Sequence, residues 1–278
     1  MADTCFNCGR SLSLGDRLCT YCSADVLPPN VRSASRAGEV AALAERETEA
    51  IKAAASNGAT DVLMRLRTHA EESRLVINRK LRSLSLWVNS EDELYLNFYQ
   101  LKKRGVKSVD DRYNRQRVSA ENTVSPGFYE ELTVGALTVD GEGMSYYGPW
   151  SVIVRDDHIR LRASVFWSNP FLLLQSEKVI SGDDLPEGFR APWSARSRLA
   201  VAKLGSRLSA ADDDDAIATR FMGPDRSSEH CDFIEVHVHH EIHVDGIERI
   251  KEPALIPPID RTEWEFLREK LSAKGVVC

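Results

Sequence analysis

Apolar positions recur at helical spacing between residues 33 and 105 and switch to a two-residue beat beyond Asn122. Val40, Leu43 and Ala44, then Ala50, Ile51 and Ala54, return every three to four residues, with Glu47 as the one polar position on their face. That period predicts a helix from about Ser33 that Asn57-Gly58 breaks. Leu63, Leu66, Leu75, Leu81, Leu84 and Leu86 extend the rhythm and predict a second helix from about Thr60 to Trp87. Ser90 and Glu93 have the spacing of a capping box. The helix they would open carries Leu94, Phe98 and Leu101 and stops at Gly105, with Lys102, Lys103 and Arg104 in its last turn. Core packing accounts for these repeats.

Beyond Asn122, Thr133–Val139 and Trp150–Arg155 read as strands separated by the turn Asp140-Gly-Glu-Gly143. Residues 159–166 alternate, with Ile159, Leu161, Ala163 and Val165 on one side. Residues 193–204 look helical, and Asp212–Asp215 reads as a solvated acidic loop. Phe233–His243 is the densest segment. As a strand it sends Ile234, Val236 and Val238 one way and Glu235, His237 and His239 the other. The plain account of those three ionisable groups is a wetted sheet face.

Four of the six cysteines lie within the first 22 residues as two C-x-x-C pairs, Cys5/Cys8 and Cys19/Cys22, ten residues apart. Paired turns of this kind point four thiolates at one ion, and the set suits zinc in a closed, structural site. The chain therefore divides into a zinc ribbon (1–27), a helical region (28–120) opened by Pro28-Pro29, and an α+β domain (121–278) with a mixed or antiparallel sheet. Cys231 and Cys278 read as a half-buried thiol and a terminal one.

Composition narrows the field. With 36 Lys+Arg against 42 Asp+Glu, the net charge of −6 rules out a chain built throughout as a polycation. A local basic segment remains: Lys102, Lys103, Arg104, Lys107, Arg112, Arg115 and Arg117 against Asp110 and Asp111. It reads either as a solvated helix end and loop or as a phosphate-binding patch. No apolar run nears the roughly 20 residues that span a bilayer, and Met1–Cys5 lacks a leader pattern. The expectation is a soluble, cytoplasmic chain with no membrane partner.

Three functional readings follow from these residues. His-x-His on a strand is a common ligand pair, so His237, His239 and His240 could serve a metal-dependent hydrolase. The ribbon and the basic segment could instead form a non-enzymatic module that holds nucleic acid or protein. The third reading makes Glu235 the chemical residue.

The third comes from a resemblance. Tyr147-Gly148-Pro149 runs into Val152-Ile153-Val154. Arg162-Ala163-Ser164 is followed by Asn169-Pro170-Phe171. Glu235-x-His237-Val238-His239 is followed by Ile242-x-Val244-x-x-Ile247. Over about residues 125–270 these segments resemble the ADP-ribosyltransferase-like fold, in particular its divergent bacterial toxin and effector branches. The resemblance implies an enzyme with NAD as co-substrate, a macromolecular acceptor (protein or nucleic acid), a toxin or antiphage-defence role, and an inhibitory partner protein. It implies that Glu235 holds a ribose hydroxyl and stabilises charge on the ribose. Tyr147 would stack on nicotinamide, Arg162 would hold a phosphate, Ser164 and Asn169 would order the loop or bond the ribose, and His237 and His239 would line the acceptor side. Many members carry an Arg or His on their first strand; Thr133–Val139, the first strand expected here, has neither.

Overall fold

The two periodicities end up in one sheet and the helices around it. The computed structural model describes residues 4–278 except 6, 14, 15, 17, 106–111 and 181, and, between 112 and 114, the backbone only. The helices are α1 (Pro29–Ala34), α2 (Ala37–Ser56), α3 (Thr60–Glu72), α4 (Leu81–Asn89), α5 (Phe98–Lys103), α6 (Arg112–Val124), α7 (Asp156–Ile159), α8 (Pro170–Ser176), α9 (Arg196–Leu204), α10 (Asp214–Met222) and α11 (Pro258–Ala273). The strands are β1 (Arg74–Arg79), β2 (Leu94–Tyr95), β3 (Leu132–Thr138), β4 (Trp150–Val154), β5 (Ala163–Phe166), β6 (Arg190–Pro192), β7 (Glu235–His239), β8 (Ile242–His243) and β9 (Ile247–Lys251). The class is α+β. Seven strands run β6-β5-β7-β3-β1-β4-β9, every neighbouring pair antiparallel, and β2 pairs with β8 beside them.

Register fixes which side chains share a face, because directly paired residues project to the same side. Glu235 pairs with Phe166 and Ala136, and His237 pairs with Ser164 and Val134. The opposite face carries Leu75, Ile77, Leu137, Val152, Ala163, Val165, Val236 and Val238, all about fully buried. These join Leu66 of α3 and Leu199 and Ala200 of α9 in the main core. One face is therefore mostly apolar, with Thr133 a buried polar residue on it. The other carries the polar groups, closed on one side by a smaller cluster of Val124, Phe166, Leu173 and Phe189.

Several expectations hold. Helix α2 ends at the Asn57-Gly58 break, β3 and β4 lie where the alternation put them, and α9 occupies most of 193–204. Helix α5 ends before Gly105 (φ 71°) with Lys102 and Lys103 in its last turn. Others need correction. Residues 60–87 are not one helix: α3 stops at Glu72, Ser73 is extended, and β1 follows before α4. Leu75-Val76-Ile77 is a consecutive apolar run with two β-branched residues. It is buried on both faces of the sheet, a setting that leucine spacing alone cannot tell from a helix. Residues 159–166 are not one strand either. Ile159 ends α7, Leu161 stands exposed in a turn, and β5 begins at Ala163.

The capping box belongs to α5, not to Ser90. Asn97 accepts from the Gln100 amide and Gln100 reaches back to the Asn97 amide. Ser90 instead donates to the Trp87 carbonyl, and Glu93 is left-handed (φ 50°) on the way into β2. Of the acidic run, Asp212 pairs with Arg220, Asp213 caps α10, and Asp214 pairs with Arg65.

Candidate functional site

Strand β7 is hydrogen-bonded along both edges, to β5 and β3, and all five of its residues are buried, so the expected wetted face does not exist. Glu235 and His237 are each 5% exposed and His239 is 7% exposed. Glu235 and His237 open instead on a cavity of about 490 Å³ with a partly exposed rim. That volume lies within the usual range for small-molecule sites, roughly 300–1,000 Å³. The cavity is floored by Val76, Asn78, Val134 and Ala136 of β1 and β3. Its walls are largely aromatic: Trp87, Tyr95, Phe98, Tyr99, Tyr129, Phe171 and Phe233.

At its centre the Glu235 Oε2 and the His237 Nε2 lie 2.9 Å apart, and the Phe166 ring stacks on the imidazole. Burial pushes the Glu235 carboxyl above its ordinary value, and the His237 contact only partly offsets this. A second acid, Glu121 of α6, accepts from the Arg117 Nε at 2.7 Å and from the Tyr99 hydroxyl in a very short contact. Burial works against the Arg117 cation, yet Glu121 outweighs it and holds that group above its usual range. Burial, reinforced by Glu121, raises the Tyr99 phenol. The cavity therefore holds two carboxyl groups, Glu235 beside an imidazole and Glu121 beside a guanidinium.

Arg79 adds a further charge. It ends β1, lines the cavity and lies over the Tyr95 ring at 4.6 Å, with Nη1 donating to the Asn78 carbonyl. Burial pushes it down to about 10, which leaves it cationic at neutral pH. Among the described residues no carboxylate lies within ion-pair distance of it. The backbone beside it is crowded by Gly148, where a Cβ would fall 2.1 Å from the Arg79 carbonyl carbon at a φ of 147°. This is why Tyr147-Gly148 can lie across the end of β1.

Four of the expected site residues meet here: Tyr147, Asn169, Glu235 and His237 all line the cavity. Tyr147 sits half-exposed at the rim in the turn 145–147, and Asn169 caps α8 by accepting from the Phe171 amide at 2.9 Å. Two do not. Arg162 does not face the cavity: its guanidinium donates to the carbonyls of His239 (2.7 Å), Glu241 (2.8 Å) and His158 (3.0 Å), tying the end of β7 to its own turn. Ser164 lies under α1, where Asn30 donates to its Oγ at 3.1 Å and to the His237 carbonyl at 2.9 Å.

The chain matches no protein-family model and no curated protein sequence.

Arg79, Tyr99 and Glu121 are not legible as site residues, and Arg117 is legible only as part of the basic segment. Arg79 lay inside an expected helix, and the i,i+4 spacing of Arg117 and Glu121 is that of any surface helical pair. The His237/His239/His240 cluster is also divided. His237 belongs to the cavity, whereas His239 bonds Glu131 across 2.9 Å and His240 lies beside it. Within the basic segment, Lys103 pairs with Glu130, Arg104 with Asp92 and Arg117 with Glu121. Lys107, Asp110, Asp111 and the Arg112 side chain lie outside the described residues.

The four N-terminal cysteines converge and can hold a metal ion such as zinc. Gly9 (φ 69°) and Ser23 (φ 55°) are left-handed, and their amides fold back to the Cys5 and Cys19 carbonyls at 2.8 Å, which makes two matching turns. The sulfurs of Cys5 and Cys22 are 3.7 Å apart and those of Cys8 and Cys19 3.6 Å. A tetrahedral ion with bonds of about 2.3 Å needs sulfurs roughly 3.8 Å apart. Asn7, helped by the Ala24 amide, holds the Cys22 thiol down at about 6. At Cys8 the Arg10 amide lowers the value, but burial and hydrogen bonds with the other three thiols push it up to about 12. Four thiolates this close need a cation between them. Among the described residues no helix is long and apolar enough to cross a membrane.

Proposed function

We propose that the cavity beside Glu235 binds NAD, and that the chain cleaves its nicotinamide–ribose bond and transfers the ADP-ribosyl group to a macromolecular acceptor. The observation that carries this reading is the convergence at one cavity of a buried carboxyl from a central strand, the rim tyrosine Tyr147 and the cation Arg79, which has no carboxylate partner among the described residues. Arg79 takes the phosphate-facing role that the sequence assigned to Arg162, and it does so from the true first strand, β1.

In this reading the bond between the ribose C1′ and the nicotinamide nitrogen breaks heterolytically. Its electron pair leaves with neutral nicotinamide, positive charge builds on the ribose ring, and a nucleophilic atom of the acceptor bonds to C1′ and releases its proton to solvent. A carboxylate fixed beside that charge, in a site walled from water, stabilises it more than solvent would. Glu235 supplies the carboxylate, and His237 orients it through the 2.9 Å contact. The aromatic walls give the nicotinamide and adenine rings apolar faces to stack on. The N-terminal cysteine cluster serves as a closed, structural zinc site, since four thiolates leave no coordination position open.

The test is release of nicotinamide from NAD by the purified chain. Glu235→Gln keeps size and polarity and should cut the rate by roughly 100-fold or more, the cost of losing one electrostatic stabiliser, with its circular dichroism unchanged. A wild-type chain that neither releases nicotinamide nor is stabilised thermally by NAD overturns the reading.

A further inference from the structure

Strand geometry makes consecutive side chains diverge, so His239 and His240 ought to point to opposite sides of the sheet. They do not. His240 is left-handed (φ 67°), a conformation uncommon for a residue with a side chain and costing on the order of 1 kcal/mol. Its amide donates to the Glu131 carbonyl at 2.8 Å and its carbonyl accepts from the Thr133 hydroxyl at 3.1 Å. The twist swings the His240 ring to within 3.9 Å of the His239 ring, centroid to centroid. The Glu131 carboxylate completes the group, with Oε2 at 2.9 Å from the His239 Nε2. One donor atom from each of the three side chains lies within 4.8 Å of the others.

From this convergence we infer that Glu131, His239 and His240 form a second metal site, separate from the cysteine cluster and independent of what the cavity binds. Two imidazole nitrogens and one carboxylate oxygen suit a divalent first-row transition ion such as zinc; calcium and magnesium prefer all-oxygen sets. Donors around such an ion sit roughly 3.3 Å apart for bonds near 2.0–2.1 Å; the Glu131–His239 pair is at 2.9 Å, and the His240 donor lies within 4.8 Å of both. Three protein ligands leave a coordination position open to solvent, and Glu131, with its side chain half-exposed, lies on the approach.

The ligands are also held in place. His239 is fixed by burial, and the backbone on either side of Glu131 is pinned by Asn97, whose Nδ2 donates to the Glu130 carbonyl at 2.8 Å and the Leu132 carbonyl at 3.0 Å. Tyr129 and Leu132, which flank Glu131, both line the cavity. An ion at Glu131 would therefore brace one of its walls.

The test uses the full-length, untagged chain saturated with zinc, freed of excess ion and assayed for metal. The expected result is about two zinc ions per chain, falling to about one in the double variant His239→Ala/His240→Ala. Because that variant removes a buried ring, Glu131→Gln at the half-exposed position is the second probe, and it should weaken the second ion at least about tenfold without unfolding the chain. Cobalt substitution assigns the sites. Only the cysteine cluster gives thiolate-to-metal charge transfer, so a second cobalt equivalent should add visible bands without it. The inference is overturned if the wild type saturates at one ion, or if the second ion binds with unchanged affinity in both variants.

Discussion

The Glu235 Oε2 and the His237 Nε2 meet at 2.9 Å across two positions of one strand, each side chain about 93% buried. Burial outweighs the contact, and the carboxyl binds its proton more tightly than an exposed one. The stability consequence has a definite sign. A group whose folded pKa is raised takes up protons on folding, so its contribution is most favourable below the ordinary carboxylate value near 4.5 and is lost as pH climbs toward the raised one. Glu235→Gln removes that dependence. Urea midpoints measured from acid to neutral pH should show the variant gaining on the wild type as pH rises. A constant difference across the range, or a variant that loses ground to the wild type as pH rises, refutes the assignment.

Arg79 holds a charge at the cavity, its side chain donating to the Asn78 carbonyl and lying over the Tyr95 ring, with no ion pair among the described residues. Arg79→Met keeps the apolar stem against that ring and removes the cation. Since no ion pair is broken, thermal stability should hold or rise. Affinity for ADP-ribose, measured by calorimetry, should fall more than about tenfold, the scale of one charge-assisted contact. Wild-type affinity in the variant would remove Arg79 from the site.

Arg162 makes the opposite prediction. Its three carbonyl acceptors are main-chain groups at the end of β7 (His239), just beyond it (Glu241) and in α7 (His158). Arg162→Ala should cost about 2–3 kcal/mol in urea unfolding. Lysine should not restore it, because a single ammonium lacks the guanidinium's fork. ADP-ribose affinity should stay near wild type. A variant of wild-type stability that has lost affinity would return Arg162 to the phosphate role.

The cysteine cluster has its own small core of Cys5, Leu12, Cys19 and Val26, apart from the main one. So few apolar contacts cannot hold a fold without the ion. Cys22→Ser should lose one zinc per chain and open residues 4–27 to protease. The unfolding midpoint of the remainder should shift by less than about 1 kcal/mol. A coincident collapse of the whole chain would show that the two cores fold as one.

Much of the local structure was readable because one periodicity dominated each segment. The β7 alternation singles out Glu235, His237 and His239, and the C-x-x-C spacing singles out the cysteine cluster. Reading failed where the signal was ambiguous. Leu75, Val76 and Ile77 are buried on both faces, so neither period stands out and the leucine rhythm carried over from α3. Leu161 matched the alternation by coincidence and is exposed. Arg162 and Ser164 lie in the expected region, but their partners, the His239 carbonyl and Asn30, are distant in sequence and no spacing encodes them. The left-handed His240 is a turn conformation set by the Glu131 and Thr133 contacts rather than by a local motif.

Strand β1 precedes the rest of the sheet in sequence, yet it sits between β3 and β4 and hydrogen-bonds to both. A fragment starting at residue 121 would therefore lose the seam of the sheet rather than an appendage. It would be left as two ribbons with raw inner margins, each a template for sticking to its neighbours. Supplying 28–120 as a separate polypeptide would be the way to close the gap, and recovery of a monomeric species on mixing would report that the two pieces recognise each other.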